Sequence, residues 1–131
     1  MLRKLSAAFT GGVIGALLSS LLFWELGRNG VTAWMGVTLR PGLSFAWLYP
    51  RLVAGGLWGL LFLLPLLPSR PATRGLLWSL APSAFTLLHV MPMAGRGLFG
   101  LGYGALTPAL VLAINAVWGL TAAFWYRAAA R

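Results

Sequence analysis

A chain of 131 residues that is 60% hydrophobic and only 8% charged lies far from the roughly 25% charged residues of an average soluble domain. Ten basic residues and one acidic residue cannot form the polar shell that a water-soluble domain of this size needs. The net charge of +9 is scattered singly or in pairs between apolar runs, the pattern of cations at membrane boundaries and not of a basic nucleic-acid face.

A bilayer crossing needs about 20 mostly apolar residues, and four segments qualify, at about 5–26, 44–68, 75–94 and 105–126. They predict a single all-α integral membrane domain over residues 1–131: a four-helix transmembrane bundle with a short cytoplasmic turn between the second and third helices and a longer outer loop between the first and second. The first segment follows Arg3 and Lys4 but lacks the small-x-small cleavage pattern of a secretion signal, so it is expected to remain as an anchor. It carries two ladders of small residues at spacing four, Ala7, Gly11, Gly15, Ser19 and Ala8, Gly12, Ala16, Ser20. Small residues let helices approach in lipid, where the hydrophobic effect contributes little to association.

The loop that follows, residues 27–43, alternates Val31, Ala33, Met35, Val37 and Leu39, which fits either a strand pair or an interfacial helix. The second helix places Gly55 and Gly59 on one stripe with Arg51 a turn earlier. "PSRPATR" then reads as a tight basic turn that makes the second and third helices antiparallel neighbours.

The third helix carries the most polar face, Ser79, Ser83, Thr86 and His89. Its hydroxyls are expected to bond back to carbonyls of their own helix near Pro82, with a wet path or ligand surface as the alternative. In the fourth helix Ala116, Gly119 and Ala123 form a small-residue face beside Asn115, whose amide suits a helix-to-helix hydrogen bond.

Cations set the orientation. With the N-terminus inside, Arg3, Lys4, Arg70, Arg74, Arg127 and Arg131 gather on one side and Arg28, Arg40, Arg51 and Arg96 on the other. The bias predicts a bacterial inner-membrane protein with both termini in the cytoplasm. That topology draws Glu25, Arg51, His89, Arg96 and Tyr103 toward the outer leaflet as a candidate ligand or ion-pair cluster, because charges in a bilayer face the interior with partners. Glu25 has two candidate partners, Arg28 at its own helix end and Arg51 across a helix contact.

"GRGLFGLGYG", residues 95–104, holds five glycines. The letters fit a dinucleotide fingerprint, but that motif needs a strand before it and a helix after it. They also fit part of a potassium filter, but without the threonine, valine and pore helix of one. The stretch is expected to be an outer hairpin turn, with Pro108 in the first turn of the fourth helix.

One histidine, one carboxylate and no cysteine argue against catalysis, and neither a metal set nor a cofactor is expected. The repeated ladders favour a non-catalytic packing, assembly or accessory subunit of a homo-oligomer or larger membrane complex. An oligomeric channel or transporter is the alternative, and a protein that binds or modifies anionic lipid headgroups through the Glu25, Arg51 and His89 cluster is the second. The bilayer is the expected partner, and nucleic acid is not.

Overall fold

The computed structural model of the chain describes residues 2–39, 41–64 and 70–130. Their helices are α1 (Leu2–Arg28), α2 (Val31–Trp34), α3 (Phe45–Gly59), α4 (Pro71–Phe85), α5 (Met91–Met93) and α6 (Thr107–Ala129), and no strand occurs among the described residues. A 3-10 turn at Leu60–Leu63 prolongs α3, and a π turn at Thr86–Val90 joins α4 to α5. Four spans are long and apolar enough to cross a membrane: Leu2–Arg28, Phe45–Leu63, Pro71–Met93 and Thr107–Ala129. Residues 65–68 of the second predicted span lie outside the described residues, as do Arg40 and Arg131.

Local chemistry sets the boundaries. The Ser44 hydroxyl accepts from the Trp47 N–H at 3.2 Å and so caps α3, satisfying one of the donors a helix start leaves free. Pro71 opens α4, where its missing N–H costs little. The third span therefore begins at Pro71, not at residue 75 as expected, and Arg74 belongs to a helix instead of a turn.

The four spans run alternately up and down, so Leu2 and Ala130 lie at one end of the bundle (the termini end) and α2 and the glycine-rich turn at the other (the loop end). α1 is central, packed on α3 and on α6, while α4 packs on α6. The two ladders of α1 serve these two neighbours. A methyl group added at Gly12 would collide with the Gly55 carbonyl, and one at Gly59 would stand 2.5 Å from the Ala8 carbonyl oxygen. On the other ladder, a Cβ at Gly15 would stand 2.6 Å from the Trp118 carbonyl oxygen and one at Gly11 would lie 3.1 Å from that of Ala122. The Trp118 indole also donates to the Gly12 carbonyl at 3.1 Å. These faces, expected at contacts with a second copy or another subunit, thus pack inside the chain.

The third span has a small-residue contact too. Gly75 and Gly119 are so close that a side chain on either would strike the other's carbonyl. The antiparallel neighbours α3 and α4 are not closely packed: each leans on α1 or α6, and between them run a Trp58–Phe85 ring contact at 5.7 Å and the bonds of Arg74. The bundle is a ring of four spans parted along one seam.

The loop end is built from α2 and the glycine-rich turn. Gly30 and Gly36, both at positive φ, bracket α2, so the alternating stretch forms a helical turn and then irregular chain, not a strand pair. Val37 is 2% exposed and packs with Leu110 and Ile114, and the Thr38 N–H donates to the Tyr103 carbonyl at 3.0 Å. Gly104 meets the Gly36 carbonyl at a distance no side chain would allow. The glycine stretch is a turn closing the bundle, with Gly95, Gly97 and Gly100 at positive φ, a region open to glycine at little steric cost.

Candidate functional site

Inside the loop-end half of the ring lies a cleft made of two cavities, of about 380 Å³ and about 130 Å³. The first falls in the roughly 300–1,000 Å³ range of small-ligand sites. Arg51, Thr86 and Asn115 line both cavities and so mark where they meet. The rest of the larger cavity is mainly apolar, walled by such side chains as Phe23, Leu39, Met91, Leu110, Val111 and Ile114, with Trp47 and Tyr103 beside them. The smaller adds the hydroxyls of Ser19 and Ser20.

Arg51 is the centre of this arrangement. Its Nε donates to the Ser20 hydroxyl at 2.7 Å, and its guanidinium lies 5.0 Å from the Trp47 ring centroid and 5.7 Å from that of Phe23. An arginine stacked on aromatic faces keeps its planar fork oriented. The fork ends make no hydrogen bond to a described residue, and no carboxylate of a described residue pairs with it.

The sole acidic side chain is engaged elsewhere. Glu25 accepts from Arg28 at 2.5 Å and from the Asn29 amide at 3.2 Å. Residues three and four apart on a helix share a face, whereas Ser20, beside which Arg51 sits, is about 7.5 Å back along the axis from Glu25. The Glu25–Arg51 clasp is therefore replaced by a local pair at the helix end.

The rest of the predicted cluster also separates. His89 is exposed and lies tilted against the Phe85 ring with centroids 5.1 Å apart, on the π turn that takes it off the face of Ser79. The exposed Arg96 lies over the Tyr103 ring at 4.8 Å, holding the loop-end turn. Of the five residues, Arg51 and Tyr103 line the cleft.

The polar face of α4 divides between two roles. Ser79 donates to the Leu76 carbonyl at 2.6 Å and Ser83 to that of Ser79 at 2.8 Å, the expected back-bonding, though neither reaches the Trp78 carbonyl that Pro82 deprives of its helical donor. Ser83 also accepts from the Asn115 amide at 3.0 Å. Thr86 opens the π turn, which the Met91 N–H closes on the Thr86 carbonyl; such bulges are frequent at functional sites. Asn115 is both the expected interhelical bond and a wall of the cleft.

One participant in the cleft and one buried cation at the other end of the bundle were missed from the sequence. Ser20, counted only as a small packing residue, supplies the acceptor for Arg51. Arg74, assigned to a turn, is 7% exposed and donates to the Phe62 and Leu64 carbonyls at 2.5 and 2.7 Å. Pro71 as a first-turn signal would have put Arg74 inside the helix. Among the described residues no three His, Cys, Asp or Glu side chains come together to hold a metal.

Fold and cleft together define a four-span helical protein with a guanidinium set in an otherwise mostly apolar cleft. The chain matches no protein-family model, no curated protein and no solved structure. The chemistry of the cleft therefore carries the functional reading.

Proposed function

We propose that the chain is a non-catalytic integral protein of a bacterial inner membrane, with both termini cytoplasmic, that holds a small anionic group at Arg51. One observation carries this reading: Arg51 lines both cavities of the cleft while the chain's one carboxylate side chain is bound to Arg28. An arginine at membrane depth costs about 2.5–3.5 kcal/mol even on the lowest scales, and such residues face interiors and take partners. Trp47, Phe23 and Ser20 orient the fork without neutralising it, so a bound anion supplies the missing charge. Asn115 and Thr86, on the opposite wall, offer further hydrogen bonds to the same group.

An assembly subunit docking through its small-residue ladders has less support, since both ladders of α1 are occupied by α3 and α6. A channel would need its polar groups to continue to the termini end, where Phe62, Trp118 and Ala122 are buried together.

The test compares two amphiphiles of the same chain length, dodecyl phosphate and dodecylphosphocholine, by tryptophan fluorescence titration of the purified protein. The anionic ligand is expected to bind about tenfold more tightly or better, the factor of one charge-assisted hydrogen bond, and Arg51→Gln to erase the preference. Equal affinities in the wild type, or a preference that survives Arg51→Gln, would sink the proposal.

A further inference from the structure

The anionic group has two sources, water and the bilayer, and the geometry points to the second: we infer that the ligand is an acidic membrane lipid admitted sideways through the seam between α3 and α4. This rests on the reading of Arg51 given above.

Three observations carry it. Among the described residues the loop end is covered, since Val37 is 2% exposed beneath α2, Thr38 is bonded to Tyr103, and Gly104 lies against Gly36. A solute arriving from that side meets packed backbone. The seam, in contrast, is lined by cleft residues that are themselves exposed: Ala54 of α3 borders the smaller cavity, and Val90 and Ala94 beyond α4 border the larger. The cleft therefore opens where acyl chains would lie.

The lining has the polarity of such a molecule. Arg51, Thr86 and Asn115 form one polar station, and the 380 Å³ cavity beyond it is walled mainly by aliphatic and aromatic side chains. A free inorganic anion would gain nothing from those walls, whereas an apolar tail buries surface against them. The guanidinium supplies the positive half of the charge pair, and its forked donors match the oxygens of a phosphodiester.

The seam can be closed chemically because the chain has no cysteine. Ala54→Cys and Val90→Cys are introduced together and bridged by a bis-maleimide with a reductant-cleavable spacer. The protein is held in phosphatidylcholine vesicles doped with phosphatidylglycerol, extracted in mild detergent and weighed by native mass spectrometry. Single-cysteine proteins capped with a monofunctional maleimide control for labelling, and circular dichroism for folding.

Phosphatidylglycerol is expected to co-purify with the unbridged protein, to fall by about tenfold or more on bridging and to return on cleavage of the spacer. Lipid capture indifferent to the bridge but lost in Arg51→Gln overturns lateral admission and leaves the anion reading standing. Capture indifferent to Arg51→Gln overturns both. Inorganic phosphate competing as well as the lipid would mean a water-borne ligand and overturn the lipid assignment.

Discussion

Arg74 closes the carbonyl end of the neighbouring span: its guanidinium donates to the Phe62 and Leu64 carbonyls while lying 5.4 Å from the Phe62 ring centroid and 5.2 Å from that of Tyr126. The last carbonyls of a helix have no intrahelical donor, and a cation there also complements the helix dipole. Here the cap comes from a different helix, so it ties α3 to α4 at the termini end, the closed end of the seam.

Removing that cap should be costly. Arg74→Gln is expected to lower stability by about 3 kcal/mol, since hydrogen bonds to charged groups contribute roughly 1.5–3 kcal/mol each and the buried Phe62 carbonyl would lose its charged donor. The exposed Arg127→Gln should change it by less than about 0.5 kcal/mol. Denaturation in mixed micelles measures both, and equal shifts would remove Arg74 from the fold's framework.

The α1–α3 contact makes a contrast between two glycines. Gly12→Ala places a methyl against the Gly55 carbonyl and is expected to destabilise by about 1–3 kcal/mol, the usual range for overpacking. Gly42 has nothing within 4 Å of an added Cβ and no positive φ, so Gly42→Ala should be neutral. A tolerated Gly12→Ala would mean that these backbones do not approach so closely.

Glu25 serves to separate local pairing from long-range pairing. The Glu25–Arg28 pair is exposed, at 42% and 56%, so its loss should cost only about 0–1 kcal/mol and fade with salt. A double-mutant cycle between Glu25 and Arg51 should give a coupling near zero, within about 0.3–0.5 kcal/mol of additivity. Coupling of several kcal/mol would restore the clasp between them and take away the charge proposed for a ligand.

Closure of the loop end depends on Gly104, where φ is +152° and the Gly36 carbonyl occupies the place of a side chain. Gly104→Ala should part the two loops and free the Thr38 N–H from the Tyr103 carbonyl. Hydrogen exchange at that amide is expected to quicken in the variant while amides in the middle of α1 stay protected. Unchanged protection at Thr38 would count against the cap.

Much of the architecture could be read along the chain because it follows from local properties. Twenty-residue apolar runs make spans whatever their neighbours, and ladders at spacing four identify the close-packing faces of α1, whereas Pro71, which opens α4, reads in the sequence as part of a turn. Gly55 and Gly59 of α3, which face α1, and Gly119 of α6, which faces Gly75, were legible for the same reason as those ladders, whereas Gly75 itself was not. Pairing was not. The ladders predict close contact without saying with what, and a carboxylate with two arginines in reach takes the one three residues away, because no loop has to close to bring them together.

Sequence by itself determined the apolar character of the four spans and the alternation of their direction, since each is a matter of which residues are present and how they are spaced. Tertiary structure alone decided that α3 and α4 stand apart, that Arg51 settles beside Ser20 instead of Glu25, and that Asn115 and Thr86 come round to face it. Those outcomes depend on the angles and depths at which helices meet, which side-chain packing across the whole bundle fixes.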